Sequence, residues 1–261
     1  MLQLRFLGTG AADWDPKKAS ADPAFRRLTA ALLDSDLMID CGPCVYDFLS
    51  TFSCPDLLKN VRDLLITHSH GDHFTAESVR RLCEEADAPV TVHGDPVLAT
   101  LLPVSDKLKF VPVKLFEPFQ AGRDTVTALP ANHGTEHFEE QPVHYVITEP
   151  AEDKTFFWGC DGGWLQNHTY HALLKQKFDA MIFDLTVGDS LGDFRDFEHN
   201  SIPMLEEMVR SLCHTRHILK ENGQLYACHM ARTLHSDHET LACRLSPMHI
   251  IPARDNMTIE I

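Results

Sequence analysis

The sequence predicts an α/β protein with four layers in the order αββα, in which helices cover the outer faces of two packed β-sheets. Short apolar segments with strand patterning recur along the chain, and segments with helical patterning lie between them. The two halves of the chain have similar make-up. Two packed sheets under helices would bury strands as apolar as these. Because no linker, repeat or low-complexity tract interrupts the 261 residues, we predict a single domain over residues 1–261.

The individual elements are predicted from periodicity and from turn residues. Residues 2–7 alternate around Arg5 and end at the turn Gly8-Thr9-Gly10, which favours a strand. Residues 12–27 are polar and irregular and are predicted to form a loop near the substrate. Further strands are predicted over residues 30–39, 61–67, 89–92, 109–113, 124–129, 143–148, 155–160, 180–184 and 224–228. Helices are predicted over residues 77–86, where apolar residues have helical spacing, and over 164–177 and 202–219, which end near Lys or Arg.

Composition limits the class of protein. The formal charge is −15, from 38 acidic and 23 basic residues, and this disfavours nucleic-acid binding, which needs clustered Lys and Arg. A small anionic substrate remains compatible, because bound metal ions reverse the local field. No apolar run is long enough to cross a bilayer, and the N-terminus lacks a signal-peptide pattern. We therefore predict a cytoplasmic protein with reduced cysteines, and we expect a structural role for the Cys41 and Cys44 pair.

Polar side chains recur where predicted strands end, and they include a dense run of potential metal ligands. The strand-end positions are Asp40, His68, His70, His133, Asp161, Asp184 and His229. In His68-Ser69-His70-Gly71-Asp72-His73, the first two histidines point the same way in an extended loop and can share one ion. A turn at Gly71 then directs Asp72 and His73 toward a second ion. Imidazole and carboxylate ligands suit Zn²⁺, Mn²⁺ or Fe²⁺.

This HxHxDH run after a strand resembles the signature of the metallo-β-lactamase superfamily. Counterparts of the other family motifs follow in order, with Asp40 in Ile39-Asp40-Cys41-Gly42, His133 before Gly134, Asp161 before Gly162-Gly163 and His229 after Cys228. The resemblance implies two divalent ions, Zn²⁺ or Mn²⁺. It places the first on His68, His70 and His133, the second on Asp72, His73 and His229, and Asp161 between them. Asp72 is also assigned a catalytic role, and Asp40 is expected to orient a liganding histidine.

Neighbouring histidines compete for two of these assignments. His137 and His144 lie near His133, and His235 and His238 lie near His229. We prefer His133 and His229 because each follows a predicted strand, whereas His144 lies within one. Two ions of this kind can share a water and lower its pKa, but phosphodiesters, thioesters, lactams and lactones could all be cleaved this way.

A finer resemblance favours phosphodiesters. The opening Phe6-Leu7-Gly8-Thr9-Gly10-Ala11-Ala12 is similar to that of the phosphodiesterase branch, which includes ribonuclease Z and the phosphoribosyl cyclic phosphate phosphodiesterases. Glu198-His199-Asn200 resembles the branch's Gly-His-Asn/Ser/Thr element, whose histidine can protonate a leaving alkoxide. Residues 11–27 contain no Cys, so the structural zinc of some phosphonate-pathway relatives is not expected here.

The resulting hypothesis is a dinuclear phosphodiesterase that acts on a small cyclic or nucleotide-like phosphodiester, with His199 as a catalytic residue. The alternatives are a thioesterase or lactonase on the same fold, a tRNA 3′-end endonuclease, and a non-catalytic metal-binding accessory protein. The expected partner is a small anionic substrate without membrane or nucleic acid, and a homodimer is compatible with the sequence.

Overall fold

The computed structural model describes residues 2–190 and 192–261, which form two seven-stranded sheets. The first sheet contains β1 (Gln3–Gly8), β2 (Ala30–Leu33), β3 (Leu37–Ile39), β4 (Asp63–Leu65), β5 (Val90–Gly94), β6 (Leu108–Pro112) and β14 (Thr258–Glu260). The second contains β7 (Pro118–Ala121), β8 (Asp124–Pro130), β9 (Val143–Glu149), β10 (Lys154–Gly159), β11 (Phe178–Asp184), β12 (Leu219–Cys228) and β13 (Ile250–Pro252). The α-helices are α1 (Val45–Thr51), α2 (Ala76–Glu85), α3 (Asn167–Leu173), α4 (Ile202–Val209) and α5 (His238–Leu245).

The two sheets have matching topologies. Their strand orders are β14-β1-β2-β3-β4-β5-β6 and β13-β12-β11-β10-β9-β8-β7. In the first sheet, the pairs from β14 to β3 are antiparallel and those from β3 to β6 are parallel. In the second, the pairs from β7 to β10 are antiparallel and those from β10 to β13 are parallel. Each sheet is therefore half antiparallel and half parallel, which explains the similar make-up of the two halves of the sequence.

Three clusters of buried apolar side chains fill the spaces between the four layers. Phe6, Tyr145 and Trp158 belong to the cluster between the two sheets. Because side chains alternate along a strand, Phe157 points the other way from Trp158, into the cluster that α3, α4 and α5 share with the second sheet. The remaining cluster joins α1 and α2 to the first sheet. Helices thus cover both outer faces, and the predicted αββα fold is confirmed, whereas the single-domain assignment stays a prediction.

Several predicted boundaries are wrong. The segment 30–39 is a hairpin of β2 and β3, because Asp34 takes a left-handed φ of 48° and turns the chain. The helix predicted over 202–219 ends as α4 at Val209, and a π-helical turn, Arg210–Thr215, separates it from β12. The helix predicted over 164–177 is shortened to α3. Helices α1 and α5 and strands β7, β13 and β14 were not predicted.

The strand ends bring the polar residues to one edge of the molecule. Asp40 follows β3, His68 lies shortly after β4, and Asp161 follows β10. Because β3 is parallel to β4, and β10 to β11 and β12, the residues after these strands lie at a common edge of their sheet. No helix among the residues described is both long and apolar enough to cross a membrane.

Candidate metal centre

Four imidazoles surround Oδ2 of Asp161, and the imidazole of His70 lies beside them. Asp161 Oδ2 lies 3.3 Å from His229 Nε2, 3.6 Å from His73 Nε2, 3.6 Å from His133 Nε2 and 3.9 Å from His68 Nε2. His70 Nδ1 completes the set, 3.0 Å from His68 Nε2 and 3.1 Å from His133 Nε2. The side chain of His70 is 24% exposed and opens toward solvent, whereas that of Asp161 is 2% exposed.

These residues form two potential metal sites that share Asp161. Each site has four ligand atoms within 4.8 Å of one another, from His68, His70, His133 and Asp161 in one and from Asp72, His73, His229 and Asp161 in the other. Two ligands about 2.1 Å from a tetrahedral ion are separated by roughly 3.4 Å. The distances around Asp161 Oδ2 are close to that value.

Hydrogen bonds at the far ring nitrogens make the near nitrogens acceptors. His73 Nδ1–H donates to Asp40 Oδ2 (2.7 Å), and His68 Nδ1–H donates to the Thr67 hydroxyl (3.0 Å). In a neutral imidazole, the other nitrogen then carries a lone pair. The Nε2 lone pairs of these histidines therefore face a carboxylate oxygen, and a cation between them relieves the repulsion. The residues present fit a metal centre.

The same arrangement is repeated on the second sheet. His229 Nδ1–H donates to the Thr186 hydroxyl (2.7 Å), which in turn donates to Asp184 Oδ2 (2.8 Å). His133 Nδ1 lies 3.3 Å from the Glu198 carbonyl oxygen. Because Thr186 holds Nδ1 of His229, the Nε2 atom of this ring faces Nε2 of His73 at 3.1 Å.

The electrostatics of the cluster also favour a cation. Burial raises the pKa of Asp161, but the imidazoles of His133, His199 and His229 outweigh burial and hold this pKa well below its usual range. Burial likewise opposes ionisation of Asp72, but His73 and His229 lower its pKa overall. Both carboxylates are therefore negatively charged at neutral pH. Two buried anions that face histidine nitrogens favour positive charge between them, either as protons on the rings or as a bound metal ion.

Asp40 holds histidines of both potential sites. It is fully buried, and Oδ1 accepts the Thr67 N–H (2.8 Å) while Oδ2 accepts His73 Nδ1–H. The Thr67 hydroxyl also donates to Asp40 (3.0 Å) and links it to His68. Gly42 is required nearby, because a Cβ there would lie 2.1 Å from the Asp72 carbonyl oxygen.

The match to known proteins agrees with this geometry. Residues 36–230, well over half of the chain, match the family model described as a beta-lactamase superfamily domain. The chain belongs to the metallo-β-lactamase superfamily. No curated protein matches it in sequence.

Solved structures with the superfamily fold resemble the whole chain. YhfI from Bacillus subtilis, a metallo-beta-lactamase fold protein, superposes with a TM-score of 0.73 at 13% identity and covers 100% of both chains. Yeast PDE1 superposes with a TM-score of 0.71 at 12% identity, and the match covers 100% of this chain and 99% of the PDE1 chain. The short form of human tRNase Z gives 0.66 at 19% identity and covers 99% of both chains. At these identities the similarity shows the fold alone.

His199 lies beside the two potential metal sites but belongs to neither of their ligand sets. Its Nδ1 is 2.6 Å from Asp161 Oδ1 and 3.2 Å from Asp184 Oδ2, and its ring stacks on His229. Burial lowers the pKa of His199, but Asp161 and Asp184 more than compensate and raise it to about 10. Asn200 anchors this loop, because its amide donates to the Gly162 carbonyl (2.9 Å).

Asp184 belongs to the cluster, although no motif in the sequence predicted a role for it. It is fully buried, contacts both His199 and His229, and forms a third group of potential ligands with them and Asp161. Its place at the end of a strand was the only signal in the sequence. The partner His199 lies fifteen positions later, at a spacing that no local pattern reveals.

The competing histidines have other surroundings. His137, His144, His235 and His238 belong to none of the three ligand groups found among the described residues. His144 Nε2 contacts the backbone carbonyl of Asp161 (3.2 Å), and burial lowers its pKa to about 4. His235 Nε2 contacts the Leu185 carbonyl (2.8 Å). Cys41 and Cys44 are free and buried, and burial raises the pKa of Cys44 to about 11, so this thiol is not activated.

A cleft of about 220 Å³ opens over the cluster. Its walls include Asp13, Arg195 and Ala231 beside the metal-site residues. The predicted loop 12–27 is irregular apart from a short 3-10 turn, Pro16–Lys18, and its residues Ala12 and Asp13 line this cleft. Its expected place near the substrate stays a prediction.

Proposed function

We propose that the protein is a hydrolase that uses two divalent metal ions, Zn²⁺ or Mn²⁺, to cleave a small phosphodiester. His68, His70 and His133 would hold the first ion, and Asp72, His73 and His229 the second. Asp161 would contact both. Bound ions of this kind supply a nucleophile at neutral pH and neutralise negative charge on the attacked group.

The protein's own residues orient the reactants. The far ring nitrogens of His68, His73 and His229 are occupied by hydrogen bonds, so these rings cannot turn away. Asp72 Oδ2 lies 3.5 Å from both His73 Nε2 and His229 Nε2. We assign its carboxylate a second role, which is to accept a hydrogen bond from the attacking water.

The position of His199 is the observation that carries the phosphodiester assignment. The ring is 14% exposed, lines the cleft, and is held through Nδ1 by Asp184 and Thr186. Nε2 is thus the atom that can deliver a proton to substrate. A phosphodiester with an alkoxide leaving group needs such a proton, and a positioned imidazole supplies about 10²–10⁴-fold in rate.

A substrate screen tests the proposal. Metal-loaded protein is assayed with bis-p-nitrophenyl phosphate, cyclic nucleotides, a tRNA precursor, a thioester and a lactone, with Mn²⁺ and with Zn²⁺. We expect turnover of the small phosphodiesters. His133→Ala should abolish turnover and His137→Ala should leave it intact, because only the former residue lies in a ligand group.

Other outcomes of the screen would replace the proposal. Turnover confined to the thioester or lactone would make the protein a thioesterase or lactonase, and cleavage confined to a tRNA precursor would make it a tRNA 3′-end endonuclease. A metal-loaded protein inactive on all of these would contradict hydrolysis and favour an accessory role. The homodimer and the cytoplasmic location stay predictions.

A further inference from the structure

A second pocket, which the metal chemistry does not use, lies beside the cleft. It has a volume of about 370 Å³, and its lining includes Arg26, Arg232, Arg254 and His238. Ala231 lines both the pocket and the metal cleft. Trp14 forms another part of the wall, and its indole N–H donates to the carbonyl of Met230, directly after His229. The pocket and the cleft therefore adjoin at Ala231.

Two of the three arginines in this pocket, Arg26 and Arg232, form no ion pair with a carboxylate among the described residues. Among the residues described, the Arg26 guanidinium contacts only neutral groups, which are the Thr9 hydroxyl (2.8 Å), the Ala253 carbonyl (2.7 Å) and His238 Nδ1 (3.0 Å). The Arg232 side chain is exposed, and its guanidinium donates only to the Asp13 backbone carbonyl (3.4 Å) within the described part of the chain.

His238 shows that the cluster has more donors than acceptors. Arg26 approaches its Nδ1, and Arg254 Nε donates to its Nε2 at 2.7 Å. A neutral imidazole can accept at only one nitrogen, so one guanidinium must face a ring N–H. Burial, followed by these two arginines, lowers the pKa of His238 to about 4, which keeps the ring neutral. An anion would supply the missing acceptor.

Two of the three carboxylates in the lining, Asp22 and Asp237, accept hydrogen bonds from nearby groups rather than from the arginines. Asp237 caps α5 through the N–H and hydroxyl of Thr240, and Asp22 accepts the N–H of Ala24. Glu239 approaches Arg254 at only 3.5 Å and is exposed. Planar guanidiniums with free N–H groups match phosphate oxygens in geometry and charge.

We propose that this pocket binds a terminal phosphate of the substrate, remote from the bond that is cleaved. This inference rests on the proposed phosphodiesterase function, and it narrows the substrate class to phosphodiesters that carry a second phosphate. The metal cleft would hold the scissile phosphodiester. The substrate would extend past Ala231 and place its terminal phosphate in the pocket.

Titration of the metal-loaded protein with inorganic phosphate tests the pocket without any turnover. We expect the wild-type protein to bind phosphate at one more site than the Arg232→Gln/Arg254→Gln double variant. Both residues are exposed, so the substitutions should not disturb folding. Arg210→Gln is the matched control, because Arg210 is exposed and pairs only with Glu206 and Glu207 among the described residues. Equal stoichiometry in the wild-type protein and the double variant would overturn the proposal.

Kinetics test whether the pocket serves the substrate. A nucleoside 2′,3′-cyclic phosphate is compared with the same compound carrying a 5′-phosphate. We expect a lower KM for the 5′-phosphorylated compound, and we expect the double variant to reduce this preference about ten- to hundredfold, as for the loss of charged hydrogen bonds. A preference that is absent in the wild-type protein, or unchanged in the double variant, would contradict a substrate-binding role. Failure of the wild-type protein to cleave either compound would instead count against the proposed function, while the phosphate titration would still decide whether the pocket binds phosphate.

Discussion

Replacing Asp40 with asparagine tests how strongly the buried carboxylate controls the second metal site. Asparagine keeps the shape and can still accept the Thr67 N–H through its oxygen. Its NH₂ group must then face His73 Nδ1, where the native oxygen accepts a hydrogen bond at 2.7 Å. Two donors cannot pair, so the ring must move its proton to Nε2 or rotate, and either change removes a lone pair from the metal site.

The size of this effect follows from the bond that is lost. A hydrogen bond to a charged group contributes about 1.5–3 kcal/mol, and each 1.4 kcal/mol corresponds to a factor of ten. We therefore expect metal affinity at the site of Asp72, His73 and His229 to fall about 10- to 100-fold, and activity to fall with it. Competition with a chelator of known affinity measures the metal affinity, and thermal unfolding shows whether the variant is folded.

Asp63→Asn provides the matched control. Asp63 accepts a hydrogen bond from His93 Nε2 at 2.8 Å, so it forms the same kind of pair away from the metal centre. We expect this variant to bind both ions as the wild-type protein does. The reasoning is refuted if Asp40→Asn is folded and retains both ions with wild-type affinity.

Three further changes give distinct results. Asp161→Ala should abolish activity and lower the metal content by up to two ions per chain, measured by elemental analysis, because its carboxylate faces both ligand sets. His199→Ala should slow hydrolysis of an alkyl phosphodiester by about 10²–10⁴-fold and that of a p-nitrophenyl ester far less, with metal content unchanged; equal losses would exclude a role as acid. Burial, aided by Asp36 and Glu149, raises the pKa of Asp124 to about 6, so its protonation stabilises the fold at low pH and this contribution is lost as the pH rises through 6. The stability of Asp124→Asn relative to the wild-type protein should therefore increase as the pH rises from about 4 to 7. The free energy of unfolding of both proteins is measured by denaturation at each pH, and a difference that does not change with pH would contradict this.

The sequence predicts best those elements whose pattern is local and whose residues are buried. Helix α2 was placed within one residue because its apolar positions have helical spacing, and in the structure Thr75 caps its start. Strands β9 and β10 are long and mostly buried, and their boundaries also agree within one residue. By contrast, β7 and β13 lie at the edges of their sheet, are short, and each contains proline. Such strands exist because a neighbour pairs with them, and this pairing leaves little trace in their own sequence.

The candidate site divides in the same way. The run from His68 to His73 is visible because its ligands are consecutive, and it required no knowledge of the fold. His133 and His229 were chosen from the order of the family motifs and from their places after predicted strands. The hydroxyl groups of Thr67 and Thr186 fix the rings of His68 and His229, and no spacing in the sequence indicates these contacts.

The supporting groups are arranged with the same symmetry as the sheets. Asp40 follows β3 in the first sheet and Asp184 ends β11 in the second; both are fully buried, and each receives a hydrogen bond from a threonine hydroxyl. Through these groups, one sheet holds His73 and the other holds His229, whose Nε2 atoms face each other at 3.1 Å. The second potential metal site is therefore held from both sheets at once. The geometry of this site depends on how the two sheets pack as well as on the loops that carry the ligands. A substitution in the core between the sheets, far from any ligand, can therefore change the site, because it can shift Asp40 relative to Asp184.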